Sequence, residues 1–244
     1  KPLDMGGSQG REEATALGGF FVLEEILNNL NLKKKGLKTI IQGFGNVGNI
    51  ISEILYKNDY EIIGLSDSKT EIYSRENFNP KHIWDFKQKE GQVEGIYQKG
   101  SVCDHDETKH KHFNNNQILE QPCDILIPAA LEKSITQENA GHIKAKIVLE
   151  MANGAITTEA LEILKNKNII VIPDILANAG GVIVSYFEWQ QNLQNNYWSK
   201  EKINQKLKVK ITKAAREVLR LSKKHQTDLK TASYILALKK IDES

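Results

Sequence analysis

The sequence predicts an α/β fold: an open, doubly wound, mostly parallel sheet with helices on both faces and extra helices at the two ends of the chain. Three observations carry this. Short apolar runs of strand length, KTIIQGF, EIIGLSD, CDILIPA, KIVLEM and NIIVIPD, are separated by segments of helical period or loop, the alternation that βαβ units require. Those runs are continuously apolar rather than alternating, as in strands covered on both faces. From residue 199 onward the pattern is helical alone.

The elements follow in order. The chain opens on Lys1 in what reads as the middle of a polar loop, KPLDMGGSQGREE, so a fragment of a longer protein is expected. Residues 1–30 are expected to carry an N-terminal helix, with Ala14, Leu17, Phe21 and the Leu23 to Leu27 stretch supplying its apolar face. Gly18 and Gly19 interrupt it. Helical glycines cost about 1 kcal/mol each relative to Ala, so another group is expected close to that backbone. The basic run Lys33, Lys34, Lys35 is expected to close the helix, where cations suit the negative end of its dipole. A core spanning about residues 36–198 holds the sheet. Ser199 is a candidate N-cap for a long helix whose stripe is Ile203, Leu207, Ile211, Ala214, Ala215, Val218 and Leu221. Asp228 is a candidate cap for the last helix, DLKTASYILALKKI. Neither a linker nor an internal repeat is visible, so residues 1–244 are expected to form one domain with helical additions at both ends.

Composition narrows the partners. Of 244 residues, 33 are Lys or Arg and 31 Asp or Glu, and the charges are interspersed. Such a surface has no field to recruit nucleic acid or an anionic membrane, which leaves small-molecule chemistry. Trp84, Trp189 and Trp198 are dispersed and build no stacking platform for single strands. Cys103 and Cys123 lack CxxC spacing; both are expected to be packing residues in a reducing compartment. The apolar runs are too short for a membrane span and the N-terminus is no signal peptide, so a cytoplasmic protein is expected. His105, His110 and His112 near Asp104, Asp106 and Glu107 are expected to be a solvated loop and not a metal site.

The chemical signal lies in IIQGFGNVGNI. Gly43, Gly45 and Gly48 follow a strand and open a helix, with Asn46 and Val47 between them. In that context Gly43 makes the tight turn, Gly45 admits a pyrophosphate and Gly48 lets helix pack on strand. The helix N-terminus offers N–H groups and a positive dipole end to phosphates. Asp67 ends the second strand 19 residues beyond Gly48, about where a carboxylate meets a ribose 2′-hydroxyl. A Rossmann-like dinucleotide site is therefore expected. Asp67 favours NAD; Lys69, two residues on, could pair with a 2′-phosphate, so NADP remains possible.

Larger stretches go further. KPLDMGGSQGREEAT (1–15), GFGNVG (43–48) and PDILANAGGVIVSYFEW (173–189), joined by CDILIPAALEKSIT and EMANGAITTEA, resemble the C-terminal, cofactor-binding domain of glutamate dehydrogenases, in the Glu/Leu/Phe/Val dehydrogenase family. The resemblance runs over essentially the whole chain. It implies that Thr15 and Asn46 contact the nicotinamide end, that Asn153 engages its carboxamide, and that Ala129 and Ala130 lie against a ribose. It also implies that Asn178 and Val182 lie beside the reacting carbon, and that Ser185 holds the side-chain carboxylate of glutamate. From residue spacing alone, Ser185 reads equally as a helix-interior serine bonded one turn back. Arg11 is expected to fix its loop. Where the family commonly reads ATG, this chain has Ala14, Thr15, Ala16.

By the same resemblance the substrate lysines and the proton-shuttling aspartate lie in an N-terminal substrate domain absent here, so no catalytic acid or base is expected in this chain. The implied activity is oxidative deamination of L-glutamate to 2-oxoglutarate and ammonia, in a homo-oligomer, usually a hexamer. A branched-chain or aromatic amino-acid dehydrogenase and a non-catalytic dinucleotide-sensing module are the alternatives.

Overall fold

The computed structural model describes residues 1–93, 97–98, 101–102, 110–113 and 117–243. In chain order these are α1 (Ala14–Asn29), β1 (Lys38–Gln42), α2 (Asn46–Lys57), β2 (Glu61–Ser66), β3 (Glu71–Ser74), α3 (Pro80–Glu90), β4 (Tyr97–Gln98), β5 (Ser101–Val102), β6 (His110–Phe113), β7 (Ile125–Pro128), α4 (Gln137–Ala140), β8 (Ile147–Leu149), α5 (Thr158–Asn166), β9 (Ile170–Ile172), α6 (Asp174–Ala177), α7 (Gly180–Gln194), α8 (Lys200–His225) and α9 (Leu229–Asp242). Two compact units result: Lys1–Leu32 with Ile172–Ser244, and Lys33–Val171.

The second unit is the sheet. Seven strands run in the order β6-β3-β2-β1-β7-β8-β9. β1 is parallel to β2 and β7, and β7 is parallel to β8. β3 is antiparallel to both β2 and β6. The chain leaves β1 for β2 on one side and returns to β7 on the other, which makes the carboxyl ends of these strands a topological switch point. Consecutive residues Ile40 and Ile41 are both fully buried. Ile40 joins a core with Leu126, Val148, Ala160 and Leu164, whereas Ile41 packs under Gly48 of α2. Helices therefore cover both faces, as the apolar strands require.

The first unit joins the two ends of the chain through α1, α7 and α8. The helix expected over residues 1–30 begins only at Ala14; before it lies a 3-10 turn at Leu3–Met5. Lys33 to Lys35 do not close it, because Asn31 takes a left-handed conformation (φ 54°) and stops the helix first. Lys35 instead pairs with Asp59 at 2.8 Å. Ser199 and Asp228 cap α8 and α9, accepting the Lys202 and Thr231 N–H groups at 3.4 and 2.8 Å. The α8 stripe buries Ile203, Leu207, Ile211, Ala215, Val218 and Leu221, with Ala214 half-buried.

Among the described residues no helix is long and apolar enough to cross a membrane, and no group of three or more His, Cys, Asp and Glu could hold a metal. Cys103, Asp104, His105, Asp106 and Glu107 lie outside the described residues, while His110 and His112 fall in β6.

Candidate functional site

Three glycines do three different jobs. Gly43 is left-handed (φ 96°), and a Cβ there would lie 2.6 Å from that of Ala130. Its N–H and that of Phe44 both donate to the Ser66 carbonyl, at 3.0 and 2.6 Å, pinning the turn to the end of β2. A Cβ on Gly48 would collide with the Gly43 carbonyl. Both glycines are thus demanded by the fold. Gly45 is not: its backbone is extended (φ −92°, ψ −159°) and nothing lies within 4 Å of where its Cβ would be. A side chain there would stand in open space above the start of α2. The N–H groups of Asn46, Val47 and Gly48 precede the first bond of that helix, Asn49 N–H to the Gly45 carbonyl at 2.8 Å, and so present donors and a positive dipole end.

The open space belongs to a recess of about 860 Å³ beyond the carboxyl ends of β1, β2 and β7, lined by Gly43, Gly45, Asp67, Lys69, Ala129 and Ala130 among others. Pockets of this size at switch points are the usual seats of dinucleotides. Of the residues expected in the site, Asn46, Val47 and Gly48 stand in the first turn of α2. Asn153 is exposed in the turn after β8, where the Met151 and Ala152 N–H groups bond the Pro128 carbonyl at 3.0 and 2.9 Å.

Asp67 occupies its expected place but turns inward. Its Oδ1 accepts the Lys69 and Thr70 N–H groups at 2.8 and 3.0 Å, and its Oδ2 accepts the Val93 N–H at 2.8 Å. Lys87 Nζ lies 3.4 Å from the same Oδ2 and donates to the Phe44 carbonyl at 2.7 Å. One lysine from α3 thereby ties the end of β2 to the glycine turn. Sequence reasoning missed Lys87. The helix start was legible, since Asn79 caps it with Pro80 at its first position, but nothing local says that Lys87 faces the turn.

The other unit assembles a second group. α7 starts at Gly180, so Gly180 and Gly181 lie inside its first turn; Asn178 caps α6. A Cβ on Gly180 would collide with the Ala14 carbonyl, and one on Gly181 would be 2.5 Å from Thr15 Oγ1 and 3.6 Å from an Arg11 guanidinium nitrogen. Arg11, Thr15 and the head of α7 are therefore neighbours. Val182 is 75% exposed. One turn along, Ser185 Oγ donates to the Gly181 carbonyl at 3.0 Å.

Fold and recess together define an open α/β protein with a recess at the carboxyl edge of its parallel strands. Residues 6–244 match the Glutamate/Leucine/Phenylalanine/Valine dehydrogenase family, and the chain belongs to that family. It is 40% identical over 244 residues to an NADP-specific glutamate dehydrogenase of Synechocystis sp. and 39% identical to an NAD-specific one of Staphylococcus aureus, covering all of this chain and 56% of each relative. Among solved structures, a hetero-hexameric glutamate dehydrogenase from Thermus thermophilus superposes with a TM-score of 0.88 at 26% identity, over 100% of this chain and 55% of that one. The chain spans about half the length of the curated relatives it matches.

Proposed function

We propose that this chain is the nicotinamide-dinucleotide-binding part of an enzyme that oxidatively deaminates L-glutamate to 2-oxoglutarate and ammonia. The observation that carries the reading is Gly45: it is bare where the fold does not require it, directly before the unpaired N–H groups of α2. A pyrophosphate needs that approach. Gly43, Gly45, Val47 and Gly48 would hold the phosphates, Asn46 the nicotinamide end, Asn153 its carboxamide, and Ala129 and Ala130 a ribose. When bound, the nicotinamide supplies the hydride acceptor. The position of Asp67 speaks for NAD, and the orientation of its carboxylate speaks against it.

The substrate class follows from the first unit. Arg11 forms no ion pair among the described residues and neighbours Thr15 and Gly181, and Ser185 sits one turn into the same helix. A guanidinium, two hydroxyls and a helix N-terminus suit a carboxylate-bearing side chain better than an aliphatic one. The acid–base groups would come from the portion of full-length relatives that this chain does not span, in a homo-oligomer.

The test is the full-length protein assayed against glutamate, leucine, valine and phenylalanine with both cofactors. Glutamate preferred by at least tenfold in kcat/KM supports the reading. Preference for a neutral amino acid moves the protein to another branch of the family, and no turnover with any leaves a nucleotide-sensing module.

A further inference from the structure

We infer that Glu150 is a positioning residue for the nicotinamide end of the ligand: its side chain closes the loop that presents Asn153. This rests on the reading of the recess as a dinucleotide site. Glu150 follows β8 directly, at the carboxyl end of that strand, and is fully buried. Burying a carboxyl group is costly unless it is hydrogen-bonded. Its Oε1 accepts the N–H of Ile156, six residues on, at 3.0 Å. Ile156 is itself buried, so no water stands ready to replace that acceptor. The bond therefore joins the two ends of the excursion from Met151 to Ala155, and Asn153, at its middle, is the exposed residue.

The same loop is stitched to the one that lines the recess. Besides the two bonds to the Pro128 carbonyl, the Lys133 N–H donates to the Gly154 carbonyl at 2.8 Å, the Ile135 N–H to the Ala155 carbonyl at 2.9 Å and the Thr157 N–H to the Ile135 carbonyl at 3.0 Å. Ile135 and Ile156 thereby form a parallel bridge. Between these anchors lie Ala129, Ala130 and Leu131, which line the recess. The backbone bonds fix the feet of the Asn153 loop, and Glu150 braces its base from within. Without an oxygen at that place the Ile156 N–H is buried and unmet. The least disruptive relief is a local opening that lets water reach it, and such an opening moves Asn153 while the glycine turn and the head of α2 stay where they are. The consequence is confined to the nicotinamide end. Because the task is to accept one N–H, an amide oxygen of the same reach can perform it.

The experiment uses the full-length protein and calorimetry. Whichever of NADH and NADPH binds the wild type more tightly is titrated beside its counterpart without nicotinamide, ADP-ribose or the 2′-phosphate of ADP-ribose. Glu150→Leu should weaken the dinucleotide by about tenfold, while the ligand without nicotinamide changes by less than about threefold. Glu150→Gln should keep both within about threefold of the wild type. Asn153→Ala should reproduce the selective loss, and Glu150→Leu added to it should cost less than about a further threefold, since both act through one contact. If Glu150→Leu does not fold, Glu150→Asp, which keeps the carboxylate but shortens its reach by one carbon, takes its place with the same expectations. Equal weakening of both ligands, an unchanged dinucleotide affinity, failure of Glu150→Gln to preserve it, or additive effects with Asn153→Ala overturns the positioning role and leaves the dinucleotide site standing. If folded wild-type protein binds neither dinucleotide, the dinucleotide reading itself fails and this one with it.

Discussion

A Cβ placed on Gly18 would fall 2.8 Å from the Cα of Gly180. α1 and α7 therefore cross backbone against backbone, and Gly18, which looks expensive in α1, has its partner in the first turn of another helix. In an exposed helix Gly→Ala would gain about 1 kcal/mol. Here Gly180→Ala should destabilise by about 1–3 kcal/mol, because the methyl meets the Ala14 carbonyl and forces the helices apart. Urea denaturation measures it, and a neutral or positive change would mean that the crossing can relax.

Asp67 is the second test. Removing its carboxylate leaves three backbone N–H groups without their acceptor and the Lys87 ammonium, still bonded to the Phe44 carbonyl, without its counter-charge. Asp67→Ala should lose about 3–5 kcal/mol of stability, the usual cost of breaking a buried charged cluster. NADH and NADPH affinities should fall in parallel, since the turn they share is what collapses. A variant of wild-type stability with a selectively altered NADPH to NADH ratio would return Asp67 to the ribose.

These two residues show where the sequence is legible. The parallel strands, α2, α8 and α9 could be read because each announces itself through local pattern or cap. The spacing rule found Asp67 at the end of β2, but the direction of its carboxylate depends on Val93, 26 residues further on, and on Lys87 in a helix the apolar pattern does not reveal. β3 and β6 were invisible for another reason: EIYS and HKHF are four residues each with no continuous apolar run, and antiparallel strands so short are set by cross-strand pairing that the local sequence does not announce. Gly18 signalled a close approach correctly, yet only the fold supplies Gly180.

Cys123 gives a pH prediction. It sits in the core beside Ile40 and Leu126, and burial, with help from the Asp124 carboxylate, pushes its thiol from 9.0 up to about 12. Because the folded pKa lies above the unfolded one, the associated stability is intact below pH 9 and is lost as pH rises toward 12. In a Cys103→Ser background iodoacetamide should leave Cys123 unmodified at pH 8 and label it fully in denaturant. Labelling of the native protein at the rate of a free thiol would mean that this core opens readily.

Ser185 and Arg11 test the substrate end. The Ser185 hydroxyl now donates to the Gly181 carbonyl, a weak local bond whose loss costs about 1 kcal/mol or less. In the full-length protein Ser185→Ala should therefore hold its melting temperature within a few degrees while raising KM for glutamate about tenfold, with KM for the cofactor unchanged. Arg11→Met should do the same more strongly, about a hundredfold, by removing a charge-assisted contact. Equal effects on both KM values would make the pair structural.

The last prediction separates binding from turnover. Gly45, the open head of α2 and the recess are all within these 244 residues, so the chain by itself should bind NADH or NADPH, detected by enhanced nicotinamide fluorescence. Binding should be weaker than in the full-length protein, since a recess that remains open to water buries less of its ligand. Turnover is another matter. Family resemblance assigns the substrate lysines and the proton-shuttling aspartate to the portion this chain does not span. Loss of general acid–base catalysis alone costs about 10²–10⁴-fold. The isolated chain should accordingly show no glutamate-dependent NADH or NADPH formation above background. Adding the remaining portion, fused or in trans, should restore the activity. Glutamate oxidation by the purified 244-residue chain would require a base among residues assigned here to binding or packing, and would overturn the division of labour proposed for this family member.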